Sequence, residues 1–325
     1  MEEKPQAESL SAVPFSVRDF YEAGRKRLAL KILSGASFMD RMVEEPILNR
    51  PGLALTGFLT DFEHRRVQVI GNAESSYLAF LGEEESVKRL TAIMAKRPAL
   101  IVLTNSNKLP PSALAKAEEF GVVVMSSSLG TRLFSHHSIY LLERLGAPRM
   151  KLYGTMMEVC GLGVLFEGAP GLGKSETALG LIKHGWALIA DDLTCIRKDS
   201  ARDLLFGSAC DSTAGYMEIR GIGIIHVPSI FGVDSLRGEK RLDLVLTFKP
   251  LDEVREEVDR IGQKHAPREI LGVKVPNVIL PVSEGRDLVN LVETAAQQHK
   301  LIVAGTDPAS QLSQRLHNLA GATQS

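Results

Sequence analysis

Residues 168–175 read GAPGLGKS. Glycines at 168, 171 and 173 let the backbone turn several N–H groups toward one centre, which is how a loop cradles phosphate oxygens. Lys174 brings a point charge for the outer phosphates, and Ser175 brings a hydroxyl of the kind that ligates Mg²⁺. Ala169, Pro170 and Leu172 complete the octet, and Pro170 removes one N–H donor from it. The whole fits the nucleotide-binding pattern G-x-x-x-x-G-K-[ST]. Two acids follow at Asp191 and Asp192. An Asp beside a transferring phosphoryl group can take the proton from an incoming hydroxyl; the other reading is a turn or helix-capping acid. The guanine-reading pattern N-K-x-D is missing downstream, and NKLP (107–110) lies upstream without an Asp, which argues against a GTPase.

These residues need a strand, a turn and a helix to hold them. GVLFEG (163–168) is an apolar strand running into the loop, and KSETALGLIKHG (174–185) reads as a helix whose positive end adds to the cradle. WALIA (186–190) is a buried strand that delivers the two acids to a carboxyl end, where open α/β sheets bind ligands. KLYGTMMEV (151–159) and GVLFEG flank the turn CGL, which predicts a hairpin. Strands are expected at 192–198, 223–228, 242–248 and 275–282, and helices over 284–299 and near 308–320.

The first half alternates in the same way. Ser16 is placed to cap a helix starting at Val17. RRVQVIG (65–71), ALIVLTN (99–105) and VVVMSSS (122–128) read as strands. EEESVKRLTAIMAK (83–96) has Val87, Leu90, Ile93 and Met94 at helical spacing. PPSALAKAEEFG (110–121) is a helix with Pro at its start and Gly at its end. This order predicts parallel pairing. TRLFSHHSIYLLERLGAP (131–148) is a helix that stops at Gly146 and Pro148, so the boundary is set there, with domains over 1–147 and 148–325. No motif in the first half attaches to chemistry.

The chain has 325 residues and a net charge of −1, a balance that points to neither nucleic acid nor a membrane surface. No apolar run approaches the roughly 18 residues that span a bilayer. The acidic, polar start MEEKPQAESL lacks the features of a signal peptide. The expected compartment is the cytoplasm, and Cys160, Cys195 and Cys210 are expected to be reduced thiols rather than a disulfide frame or a metal site.

GKSETALGLIKHGWALIADD (173–192) followed by MEIRGIGIIHVPSIFG (217–232), then VDRIG (258–262) and VPNVILPVSEGRDL (275–288), resembles the bacterial HPr kinase/phosphorylase family over about residues 130–300. The EIRGIGI segment is far more specific than the glycine loop, which many NTPases share. The resemblance implies an α/β fold: a small N-terminal α/β domain and a C-terminal P-loop kinase core resembling phosphoenolpyruvate carboxykinase. It implies ATP- and Mg²⁺-dependent phosphorylation of a regulatory serine on HPr, the phosphocarrier of the sugar phosphotransferase system. It also implies a reverse phosphorolysis giving pyrophosphate, a role in carbon metabolism, and a homohexamer with HPr as partner, without nucleic acid or membrane.

By the same resemblance, residues 168–175 bind the nucleotide, Lys174 holds its phosphates, and Ser175 and Glu218 hold Mg²⁺. Asp192 is the base in the forward direction and the acid in reverse, and Arg260 supplies charge to the transition state. Met217, Glu218, Ile219, Arg220, Gly221, Ile222, Gly223, Ile224, Ile225 and His226 form the segment used in both reactions. Pro281, Val282, Ser283, Glu284, Gly285 and Arg286 form the loop used mainly for dephosphorylation. Plainer readings stand beside these. Glu218 can be a strand-end acid, Arg260 a helix residue paired with Glu256, and Arg286 part of a surface turn. Arg220 either positions phosphate or pairs with Asp192 or Glu218.

One position departs from the family pattern. A His–Gly pair is usual before the hairpin, and here it is Tyr153–Gly154. A phenol with a reference pKa of about 10 is a poor acid–base group at neutral pH, so the reverse reaction is expected to suffer most. His136 and His137 sit at a helical position that does not align with the missing His, and adjacent residues do not share a helix face. Two rival functions remain open at this point: a small-molecule kinase on the same core, and a nucleotide-gated regulatory scaffold with reduced catalysis.

Overall fold

The structure, a computed structural model, describes residues 13–210, 213–254, 266–283, 285–308 and 311–312. It divides into two compact units, residues 1–148 and 149–325.

In the first unit Ser16 ends β1 (Phe15–Ser16) and caps α1 (Val17–Gly24). Its hydroxyl accepts the Asp19 N–H while the Asp19 carboxylate accepts the Ser16 N–H, a reciprocal box that fixes the helix start. The chain continues through β2 (Leu30–Ser34), β3 (Met42–Val43), β4 (Leu48–Asn49), α2 (Gly52–Leu55), β5 (Val67–Ile70), α3 (Asn72–Leu81) and α4 (Glu83–Met94). It then forms β6 (Leu100–Leu103), α5 (Pro111–Phe120), β7 (Val123–Ser127) and α6 (Thr131–Leu145). The sheet order is β2-β7-β6-β5-β4, with β4 to β7 parallel and β2 antiparallel to β7. A parallel sheet is covered on both faces and its strands are apolar throughout; β5 and β6 are buried at every position. Helices α1 and α6 pack on the face of Val67, Val69, Leu100 and Val102. Helices α2 to α5 cover the face of Ile70, Ile101 and Leu103.

The second unit opens with β8 (Arg149–Tyr153), β9 (Thr155–Val159), β10 (Leu162–Gly168), α7 (Lys174–Lys183), β11 (Ala187–Ala190), β12 (Leu193–Asp199) and β13 (Leu204–Ala209). Next come the hairpin β14 (Tyr216–Ile219) and β15 (Gly223–His226), then α8 (Val227–Phe231), the long β16 (Glu239–Pro250) and α9 (Leu251–Val254). The small hairpin β17 (Arg268–Ile270) and β18 (Val273–Val275) leads to β19 (Asn277–Val282) and α10 (Leu288–Val303). Seven strands run in the order β11-β9-β10-β16-β13-β12-β8, and β19 pairs with β16 as the eighth. Strands β10, β16 and β19 are mutually parallel, and β9 is antiparallel to both β10 and β11. So β10 and β11 point the same way and end on the same edge.

Three expectations change. KLYGTMMEV is two strands, divided at Gly154. The segment β8 pairs with β12, whereas β9 pairs with β10, near the opposite end of the strand order. A Cβ at Gly154 would meet the Phe166 carbonyl oxygen at 2.7 Å, so glycine is needed where the chain changes partner. The helix expected from 284 begins at Leu288, where the Asp287 carboxylate accepts the Asn290 N–H and caps it. And Cys195 and Cys210 are not free thiols but a disulfide, with Cα atoms 5.9 Å apart. Cys195 lies opposite Ser208 in the β12–β13 ladder, so Cys210, two residues along on the same face, comes within bridging range. Cys160 is free. The helix expected near 308–320 falls mostly outside the described residues. Among the described residues no helix is long and apolar enough to cross a membrane.

Candidate active site

The glycine loop leaves the carboxyl end of β10 and enters α7. Gly168 sits at φ +147°, and a Cβ there would lie 2.6 Å from the Phe248 carbonyl oxygen on β16, so no other residue fits. Leu172 is half-buried against the core cluster around Phe166, Ala178 and Phe248, which anchors the loop from below. Lys174 Nζ donates to the carbonyl oxygens of Gly168 at 2.9 Å and Ala169 at 3.0 Å, so the lysine bends back across its own loop. The hydroxyl of Thr177 closes the first turn of α7 by donating to the Gly173 carbonyl.

The two acids part company at a corner. Asp192 has φ +59°, the left-handed conformation that Asp and Asn tolerate best among residues with a Cβ. Here the chain leaves β11 at one end of the strand order for β12 near the other. The second corner, Gly154, donates its N–H to the Asp192 carbonyl at 2.9 Å and ties the two crossings together. The turn sends Asp191 inward, 7% exposed, and Asp192 outward into the cleft.

Asp191 is the hub of the site. Its Oδ1 accepts the hydroxyls of Thr155 at 2.8 Å and Ser175 at 3.1 Å, and its Oδ2 accepts the Glu218 N–H at 3.4 Å. One carboxylate thus touches β9, the first turn of α7 and the β14–β15 hairpin. Burial pushes its pKa up, the neighbouring Asp192 charge adds to that, and the three hydrogen bonds only partly oppose it.

A cleft of about 260 Å³ opens above, lined by Pro170, Gly171, Gly173, Lys174, Ser175, Glu176, Asp192, Glu218 and Arg220. Met217 and Ile219 are buried on the inner face of β14, which leaves Glu218 between them facing out. The Arg220 guanidinium reaches over the loop, with Nη2 3.6 Å from where a Cβ of Gly171 would stand. Among the described residues neither Asp192 nor Glu218 pairs with it, and it lines the cleft beside them.

The structure therefore gathers Gly171, Gly173, Lys174, Ser175, Asp192, Glu218 and Arg220 into one cleft. Pro281 and Val282 end β19 at the level where Gly168 ends β10, since Gly168 pairs with Phe248 and Phe248 with Leu280. Arg286 is exposed, its N–H bonded to the Ser283 carbonyl, and it does not line the cleft. Tyr153 is 86% exposed and does not line it either. Arg260 and Glu284 lie outside the described residues. Sequence reasoning passed over Asp191 as a positioning group and missed Thr155 and Glu176. The Asp–Asp doublet was a signal for the first; nothing local marks the other two.

The chain matches the family profiles "HPr Serine kinase N terminus" over residues 15–142 and "HPr Serine kinase C-terminal domain" over 144–316. It belongs to the HPr serine kinase family. HPr kinase/phosphorylase of Leptospira biflexa is 35% identical over 291 residues, covering 89% of this chain and 90% of its own length. The Bacillus licheniformis enzyme of that name is 35% identical over 290 residues, covering 89% and 93%. Among solved structures, the Hpr(Ser) kinase/phosphatase from Coxiella burnetii aligns at 29% identity with a TM-score of 0.44, over 48% of this chain and 99% of that one. The family is one of kinase/phosphorylase enzymes.

Proposed function

We propose that this chain is an ATP- and Mg²⁺-dependent kinase that phosphorylates a serine hydroxyl of HPr and runs the reverse phosphorolysis poorly. The observation that carries the reading is the split Asp191–Asp192 pair beside a complete glycine loop. One acid is buried on the Ser175 hydroxyl, and the other is free in the cleft. The loop N–H groups of residues 168–175, Pro170 excepted, hold the phosphates, and Lys174, two of whose three donors rest on the Gly168 and Ala169 carbonyls, adds its charge. Ser175 and Glu218 would hold Mg²⁺, a hard cation that takes one or two carboxylates beside phosphate oxygens. The donor chemistry fits: among the described residues Asp191 accepts only from neutral donors, and it orients Ser175. Mg²⁺, when bound, offsets charge on the β- and γ-phosphates. Asp192 takes the serine proton as that oxygen bonds to the γ-phosphorus and the bond to ADP breaks. Arg220 and Arg260 supply positive charge to the phosphoryl oxygens.

Purified protein given labelled ATP, Mg²⁺ and HPr should label HPr at serine. Asp192→Asn should lower that turnover by about 10³-fold while nucleotide affinity changes little. Intact ATP binding with no transfer to HPr overturns the reading. For the reverse direction, phosphoserine-HPr with inorganic phosphate should release little pyrophosphate, and Tyr153→His should raise it. A brisk reverse rate in the unmodified protein removes the role given to Tyr153. The same reading carries a cytoplasmic homohexamer with a P-loop kinase core that acts in carbon regulation; light scattering tests the assembly.

A further inference from the structure

The Cys195–Cys210 link joins two stretches of chain that both lead into the cleft. Cys195 lies on β12, three residues beyond Asp192. Cys210 is the first residue past β13, and the chain it begins reaches β14 at Tyr216 and Glu218 two residues later. The β12–β13 ladder ends at the pair Thr194–Ala209, so backbone pairing stops one residue short of Cys210. The disulfide therefore ties the chain to β12 at Cys210, just past the end of the ladder and ahead of the hairpin. The hairpin buries Met217 and Ile219 in the core, but among the described residues its polar bond to the site is Glu218 N–H to Asp191 at 3.4 Å. Both cysteines are half-buried, neither sealed in the core nor fully exposed.

We propose that Cys195 and Cys210 form a reversible dithiol–disulfide site that sets how firmly the β14–β15 hairpin is held beside the glycine loop. Reduction takes a low-molecular-weight thiol as co-reactant. Its thiolate attacks one sulfur of the link to give a mixed disulfide, and a second thiol displaces the protein sulfur. Two electrons and two protons end on Cys195 and Cys210, and the two small thiols leave joined as their disulfide. Oxidation is the same exchange run backward. The disulfide form holds Glu218 and Arg220 over the loop; the dithiol form lets the root of the hairpin peel from β12. The effect on nucleotide rests on the function proposed above, whereas the effect on the hairpin does not.

The test poises the full-length protein across ratios of reduced to oxidised glutathione. Non-reducing peptide maps count the 195–210 link, amide exchange without nucleotide follows residues 213–226, and calorimetry gives the affinity for ADP with Mg²⁺. The linked form should exchange more slowly in the hairpin and bind the nucleotide more tightly, each by about threefold or more. Cys195→Ser and Cys210→Ser should behave as the reduced protein at every ratio, while Cys160→Ser should switch like the unmodified chain. No 195–210 link at any ratio, a link that resists every thiol concentration short of unfolding, or equal hairpin exchange in both forms overturns the proposal. Slower exchange with no nucleotide bound in either form upholds the thiol site and overturns the nucleotide reading of the cleft.

Discussion

Glu74 and Asp191 are both buried carboxylates, 8% and 7% exposed, each just beyond the carboxyl end of a strand in its own unit. Their proton affinities move in opposite directions. Burial pushes Glu74 up, but hydrogen bonds from Arg50, with those from the backbone N–H groups of Gly71 and Glu74 itself, outweigh it and leave its pKa low. Arg50 reaches it through Nε at 3.1 Å and Nη2 at 2.6 Å. Asp191 meets two hydroxyls and one N–H but no cation among the described residues, and its pKa is high. The first unit has completed its buried acid with its own arginine. The second, among the described residues, gives its buried acid no cation, which folding alone does not favour and which is in keeping with the cation and phosphate site proposed above.

Asp191→Asn breaks the second half of this comparison and carries the largest expected effect. The amide keeps the shape, but its NH2 cannot accept the hydrogen bond that Oδ2 takes from the Glu218 N–H, and it loses the charge that orients Ser175. Turnover should fall by about 10²-fold, with a weaker Mg²⁺ dependence, while stability at neutral pH changes little, because relief of the buried charge offsets the lost acceptor. A variant that keeps full turnover would make Asp191 a packing residue like any other.

Glu74→Gln is the mirror experiment. It leaves Arg50 without its partner, and denaturation should report a loss of about 2 kcal/mol, with nucleotide affinity unchanged. The two acids should also respond to pH with opposite sign when Mg²⁺ is absent. Glu74, with its folded pKa lowered, lends stability at neutral pH that is lost as pH falls through the carboxylate range. Asp191, with its folded pKa raised, costs stability as pH climbs out of that range. So the loss caused by Glu74→Gln should shrink in acid, and any gain from Asp191→Asn should vanish there. Urea titrations at several pH values check both, and like-signed slopes would dissolve the contrast.

What the sequence reveals of this contrast depends on distance along the chain. The glycine loop is legible letter by letter because its strand, turn and helix are contiguous. So are the helix cap at Ser16 and the apolar strands around Val69 and Val102. The split at Gly154 is not, because it depends on β8 and β9 choosing partners near opposite ends of one sheet. Which acid of the doublet turns inward is set by the left-handed backbone of Asp192, a conformation imposed by that same crossing. Arg50 and Glu74 are far apart in sequence, as are Thr155 and Asp191, and no spacing rule joins them. Cysteine counting failed for the same reason: the disulfide follows from strand register, which the composition does not contain.

The smallest effect gives the cleanest separation of the two units, because each has a buried threonine beside its acid-bearing edge that can lose its hydroxyl with little change of shape. Thr155 and Thr104 are both fully buried at a carboxyl edge. Thr155 donates to Asp191 at 2.8 Å; Thr104 shares a hydrogen bond of 2.7 Å with Thr131. Replacing Thr155 by Val removes its bond to Asp191, and replacing Thr104 removes its bonds to Thr131 and the Ile70 carbonyl; each should cost about 1 kcal/mol, a fall in Tm of a few degrees. There the likeness should end. Thr155→Val withdraws a donor from a carboxylate already short of them, which raises its pKa further and loosens its hold on Ser175. Its nucleotide affinity in the presence of Mg²⁺ should fall by about threefold. Thr104→Val touches a cluster of Thr131, Asn105 and the Ile70 carbonyl within the first unit and should leave that affinity unchanged. Equal effects on binding from both threonines would mean that Asp191 is no more a functional group than Glu74, and that the contrast between the two buried acids is one of packing alone.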